Sequence, residues 1–179
     1  AALYSETVTV HLENDFLPFL YPNQYVNFTP DSKASQLALS LIDEDTVDVD
    51  ALQQIYDYVV SNLTYDYEKA DTVTTGYLPD VDETLKTGTG ICFDYAALTT
   101  AMLRSCDIPC KLQIGYAGDI KHAWIDVYIR SKGWVNQAVS FKGDTWTLMD
   151  PTFDSNSDDK EAIQDYIGDE SNYTVQFTR

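Results

Sequence analysis

The stretch Gly88-Thr89-Gly90-Ile91-Cys92-Phe93-Asp94-Tyr95-Ala96-Ala97-Leu98 decides how the rest of the chain is read. Its two glycines allow a tight turn and close approach, and the alanines and leucine after the cysteine favour helix. Cys92 therefore stands at a helix start. There, unpaired N–H groups and the positive end of the macrodipole lower a thiol pKa and can hold a developing oxyanion. An isolated cysteine on an Ala/Leu-rich helix is more often a buried structural residue, so a nucleophile needs partners elsewhere in the chain.

Beyond Leu98 the helix continues through Ala101, Met102 and Leu103 to Arg104, nearly all apolar or small, and Asp107-Ile108-Pro109 ends it. Such a helix is central. The period then changes. Leu112, Ile114 and Tyr116 alternate, then Ile125, Val127 and Ile129, followed by Trp134 to Ala138 and Thr145 to Met149. Consecutive strands with short connections predict an antiparallel sheet on which the Cys92 helix packs.

Upstream, Ala34, Leu37, Ala38 and Leu41 space a helix over Lys33 to Ile42, and Leu52, Ile55, Val59 and Leu63 space a second, capped by Asp48 or Asp50. Helices first and strands second make an α+β domain. Glu68 to Asp82 contains Gly76 and Pro79 without a period, so it reads as a loop: a plain surface loop first, and by its position before the cysteine a candidate wall or lid over a site. A short helix near Asp82 to Lys86 leads into the glycines. Thr7 to Leu12 alternates as a leading strand, and Pro18, Pro22 and Pro30 follow, so residues 1–34 read as a wrapping segment. After Pro151 the chain turns polar: a charged loop over Asp154 to Asp159, a short helix over Glu161 to Tyr166, and a closing strand over Tyr173 to Phe177. A single domain over 1–179, with 154–179 as its tail, accounts for the length.

Composition narrows the function classes. Apolar residues make up 44% of the 179, enough for a core, while 29 acidic against 11 basic residues give a net charge of -18. That charge opposes nucleic-acid backbones and anionic membrane surfaces. Apolar runs such as Phe16 to Tyr21, interrupted by Pro18, are too short to insert in a membrane. The acidity, the low lysine content and the start at Ala1-Ala2 point to an extracellular or cell-surface setting. Three cysteines leave one over if Cys106 and Cys110 form a bridge; two reduced buried thiols are the alternative. Asn27, Asn62 and Asn172 each begin an Asn-X-Thr triplet, which matters only in a glycosylating host.

Partners for Cys92 are few. Of the two histidines, His11 falls on the polar side of its alternation and reads as a surface residue, whereas His122 stands at the entrance to the strand Ala123 to Arg130. A thiol attacking a carbonyl needs a base, and the base needs a third group to fix its tautomer and stabilise its cation. Asp150, at the end of the strand Thr145 to Met149 and before Pro151, supplies that group if its strand lies beside that of His122.

These residues also carry a family resemblance. Gly90-Ile91-Cys92-Phe93-Asp94-Tyr95-Ala96-Ala97-Leu98, Ile108-Pro109, Gly115-Tyr116, His122-Ala123-Trp124 and Asp150-Pro151-Thr152 resemble the successive motifs of the transglutaminase-like superfamily. The match spans residues 50–153 and includes Tyr56-Asp57-Tyr58 and Thr64-Tyr65-Asp66 upstream. The resemblance implies a papain-like α+β fold and a Cys-His-Asp triad at Cys92, His122 and Asp150. One departure is Asp107, which stands where the family usually has glycine before Ile-Pro.

The expected chemistry is thiol-dependent acyl transfer on a peptide or amide substrate, with hydrolysis first and amine transfer, as in a cross-linking transglutaminase, second. A non-catalytic surface module on the same fold is the rival from another class. The backbone N–H of Cys92 is one expected oxyanion donor, and Tyr65 is the candidate for a side-chain donor. No cofactor and no metal are expected. Asp154, Asn156 and Asp158 match the opening of a calcium loop, but Asp159 replaces the required glycine and Asp165 the usual glutamate, so a solvated acidic loop is the better reading.

Overall fold

Before the cysteine, the computed structural model, which describes residues 6–9, 11–43, 45–136, 139–142, 145–148 and 173–179, forms a 3-10 turn (Leu17–Phe19) and the helices α1 (Lys33–Leu41), α2 (Asp48–Asn62), α3 (Tyr67–Thr72) and α4 (Val81–Thr87). In α2 the apolar spacing does what it predicts, burying Leu52, Ile55, Tyr56 and Val59 along one face. Its cap differs. Val47 occupies the N-cap without a side-chain bond, and Asp48 is the first helical residue. The Asp48 carboxylate instead accepts the backbone N–H of Arg130 at 2.9 Å and its Nε at 3.0 Å, a contact across 82 residues that outbids local capping.

Two further expectations change here. Residues 6–9 and 11–12 form no strand, and Val8 and Leu12 are exposed, because alternation without a partner strand leaves backbone groups to water. His11 is exposed as expected. Within the expected loop, Tyr67–Thr72 is helical, started by Asp66, whose carboxylate accepts the Lys69 N–H at 2.8 Å.

A short parallel pair joins the end of α2 to the residues before the cysteine: β1 (Thr64–Tyr65) and β2 (Thr89–Gly90), with Tyr65 opposite Gly90. Then comes α5 (Cys92–Ser105), buried from Asp94 through Arg104. It ends in a Schellman motif. The Asp107 N–H donates to Arg104 C=O at 3.1 Å and the Ile108 N–H to Leu103 C=O at 3.1 Å. Asp107 takes φ = 56° there, the left-handed position at which the family's usual glycine sits without strain.

The strands are β3 (Cys110–Ala117), β4 (Ile120–Ile129), β5 (Gly133–Val135), β6 (Val139–Lys142), β7 (Thr145–Leu148) and β8 (Tyr173–Thr178). One antiparallel sheet has the order β5-β4-β3-β8; β6 and β7 make a separate hairpin. Of the strand expected over Trp134 to Ala138, Trp134 and Val135 lie in β5, and Gln137 and Ala138 lie outside the described residues; β6 is additional. The closing strand appears as β8, against β3. It approaches so closely that a Cβ on Gly115 would lie 1.9 Å from the Thr174 carbonyl oxygen.

Helices and sheet meet in one core, in which Ala123, Ile125 and Val127 of β4 and Leu112 of β3 join Leu98, Met102 and Leu103 of α5 and Ile55 and Val59 of α2. On the other face of β4, Trp124 packs edge-on to Tyr173 at 5.1 Å between centroids. Cys106 and Cys110 are free thiols, so the bridge does not form; Cys110 is buried and its S–H reaches Thr100 Oγ1 at 3.5 Å. The charged loop and helix expected between Asp154 and Tyr166, with the calcium-like residues Asp154, Asn156, Asp158, Asp159 and Asp165, lie outside the described residues.

Candidate active site

Cys92 is the first residue of α5, and what precedes it explains how it is held. The Thr64 N–H donates to Gly88 C=O and the Asp66 N–H to Gly90 C=O, each at 2.9 Å, so the β1–β2 pair fixes the approach. Gly88 closes α4 in the left-handed region, with φ = 63°. Ile91 is then extended at the N-cap, and Cys92 emerges half-buried at the end of the helix where first-turn N–H groups lack intrahelical acceptors.

The acid three residues after Ile91 completes the start. Asp94 is fully buried, and its Oδ2 accepts the Ile91 N–H at 2.8 Å, the carboxylate half of a capping box. The same oxygen takes the Lys69 ammonium at 2.7 Å, while Oδ1 accepts the Tyr77 hydroxyl. Lys69 also donates to the Tyr77 hydroxyl at 2.7 Å, which closes a ring of three side chains. Partial burial works to lower the Lys69 pKa, but hydrogen bonds to Asp94 and Tyr77 and the charge of Asp94 outweigh it, and the ammonium stands above its ordinary value. Burial first, then the hydrogen bond to Asp94, pushes the Tyr77 phenol up. Gly90 belongs to this packing: a Cβ there would come within 2.6 Å of the Asp94 Cβ.

His122 lies in β4 opposite Gly115 and is buried, its ring near-parallel to that of Trp124 at 6.4 Å. Strand alternation groups it with Trp124 and Asp126, whereas Ala123, Ile125 and Val127 enter the core shared with α5. The fold thus packs the helix of Cys92 against the strand of His122. Asp150 lies outside the described residues, two positions past β7. In the described pairings β7 borders β6, and β4 borders β3 and β5. Tyr65 is half-buried beside Gly90, with its ring 5.0 Å from that of Tyr67.

Of the other two thiols, Cys106 is half-buried, as Cys92 is, and Cys110 is buried. Burial pushes Cys106 up to about 11 and Cys110 up to about 12, which keeps both protonated near neutrality. Among the described residues no three His, Cys, Asp or Glu side chains converge as a metal site, and no helix is long and apolar enough to cross a membrane. Sequence reasoning missed the ring of Lys69, Tyr77 and Asp94. The third-position acid of a capping box was a usable signal for Asp94; nothing in an aperiodic stretch singled out Lys69 or Tyr77.

Comparison with known proteins places this geometry. The family pattern of the transglutaminase-like superfamily matches residues 35–151. A UPF0252 protein of Methanocaldococcus jannaschii is 36% identical over 62 residues, covering 32% of this chain and 18% of that protein. Among solved structures, a candidate cysteine protease from Cytophaga hutchinsonii superposes with a TM-score of 0.62 at 22% identity, over 94% of this chain and 48% of the other. The periplasmic domain of TgpA from Pseudomonas aeruginosa gives 0.51 at 19% identity, over 72% and 46% of the respective chains. The chain therefore spans about half of either structure, and at these identities the likeness is one of fold.

Proposed function

The chain belongs to the transglutaminase-like superfamily, and from that premise we propose that it is a cysteine-nucleophile enzyme transferring acyl groups from peptide or amide substrates. The observation that carries the reading is the half-buried Cys92 at the first position of α5, in a chain whose other two thiols are held protonated by burial.

In the proposed reaction the Cys92 thiolate attacks the amide carbonyl carbon, and the C=O π pair moves onto oxygen, where the Cys92 N–H donates to it. Collapse breaks the C–N bond as His122 delivers a proton to the departing amine, leaving a thioester. Water then attacks the thioester carbonyl while His122 takes its proton, and cleavage of the C–S bond releases the carboxylic acid and restores the Cys92 thiolate beside protonated His122. Asp150 is assigned the orientation of His122 and stabilisation of its cation. Tyr65, half-buried beside the turn into Cys92, remains the candidate second oxyanion donor. We place the reaction outside the cytoplasm, a reading supported by the periplasmic domain among its structural neighbours.

Incubation with a glutamine-containing protein and a primary amine tests this. Peptide cleavage, or ammonia release without amine incorporation, is the expected result; isopeptide formation would make the enzyme a transferase instead. Cys92→Ala should lower turnover by at least about a thousandfold, since it removes the atom that bonds to substrate. Turnover equal in wild type and Cys92→Ala would remove Cys92 from the chemistry. If the wild type turns over no amide and Cys92 alkylates no faster than Cys106, the chain is a non-catalytic binding module.

A further inference from the structure

The ring of Lys69, Tyr77 and Asp94 lies two residues from the nucleophile and has no part in the reaction just described. Asp94 is a carboxylate with no exposed surface, and every oxygen contact it makes organises something: the N-cap amide of α5, an ammonium from α3, and a phenol from the segment between α3 and α4. A carboxylate at the third position of a helix stabilises the helix start, but here it also brings a negative charge within one turn of a sulfur that must become an anion. Unpaired, that charge would repel the thiolate. Lys69 sits on the carboxylate at 2.7 Å and cancels it, while Tyr77 bonds to both and fixes their geometry. The Lys69 ammonium lies 4.5 Å from the Tyr77 ring centroid, and Tyr77 meets Phe93, the neighbour of Cys92, edge-on at 6.3 Å.

We propose that Lys69 and Tyr77 are positioning residues for the Cys92 nucleophile: they hold Asp94 in its cap and neutralise it, so the first turn of α5 is rigid without being electrostatically hostile to a thiolate. The inference rests on the reading of Cys92 as nucleophile. It also assigns the stretch from Tyr67 to Asp80 a task beyond walling a site, since that stretch supplies the neutralising charge.

Peptide-resolved iodoacetamide labelling of the whole chain at one near-neutral pH tests it, with half-buried Cys106 as the comparison thiol and buried Cys110 as the internal reporter of unfolding. In the wild type, Cys92 should label much faster than Cys106; if it does not, the nucleophile assignment itself fails. Given a fast wild-type Cys92, Lys69→Met should slow it about tenfold, and Lys69→Arg should stay within about threefold of wild type. The double variant Lys69→Met/Asp94→Asn should recover to within about threefold, because removing both charges removes the repulsion. A Cys92 rate unchanged in Lys69→Met, or a double variant as slow as the single, overturns the positioning role alone. If Lys69→Met exposes Cys110 by unfolding, Tyr77→Phe decides: about threefold slower labelling of Cys92 with Cys110 silent supports the proposal, and an unchanged rate overturns it.

Discussion

Cys92, Cys106 and Cys110 are chemically one residue type in three environments. Burial raises the latter two to about 11 and about 12, against 9.0 for a free thiol. The sign follows from linkage: a thiol that ionises more readily when unfolded favours unfolding once the pH passes its unfolded value. Their contribution to stability is therefore complete below about 9 and is lost progressively as the pH climbs towards about 12. Urea midpoints measured across that range should fall, and fall less in Cys106→Ser, because one of the two raised groups is gone. At the same scale, Cys92 was legible in the sequence because glycines before it and alanines after it leave few structures open. The place of His122 in a strand was legible from the alternation that follows it. Lys69 and Tyr77 were not, because their importance comes from a contact with Asp94 across 25 and 17 residues that no local pattern encodes.

Among the elements, those with an uninterrupted period were legible and those defined by a partner were not. The apolar run of α5, buried from Asp94 through Arg104, and the apolar residues Leu112 of β3 and Ile125, Val127 and Ile129 of β4, all in the core, carry their own signal, so local pattern sufficed. The Thr7 to Leu12 alternation had the same local pattern, yet its described residues form no strand, since pairing needs a neighbouring edge. The turn from α5 into β3 shows local and tertiary demands in conflict. Asp107 holds φ = 56° so that Ile108 can close the helix and join the core. Asp107→Gly should raise stability by about 0.5 kcal/mol, the left-handed strain relieved being partly offset by the greater freedom of glycine in the unfolded chain. The urea midpoint measures this, and a drop would mean that the Asp107 side chain contributes bonds worth more than the strain.

Across the whole molecule, Arg104 is the tie between distant segments. Buried in α5, its guanidinium donates to Cys110 C=O at 2.8 and 3.0 Å, to Tyr21 C=O at 2.7 Å and to Arg179 C=O at 3.0 Å. Burial lowers its pKa, the cost of keeping a cation among carbonyls, yet these bonds join the early wrapping segment, the head of β3 and the residue after β8. Arg104→Met keeps the volume and removes the bonds, so it should cost about 2–4 kcal/mol in urea denaturation. A loss below about 1 kcal/mol would mean that the carbonyls find other donors.

The β1–β2 pair has a consequence of a different kind. It pins residues 65 and 90 together, and α3 and α4 are each fastened inside that span, α3 through Lys69 to Asp94 and α4 through its contact with α5. The exposed stretch from Val73 to Gly76 is therefore a covalent bridge between parts that are already docked. Cutting the chain there would leave two fragments with every contact around Cys92 intact. The domain is in that sense built to be divided, and a pair of separately produced halves meeting at α5 would reconstitute the thiol site only when both are present.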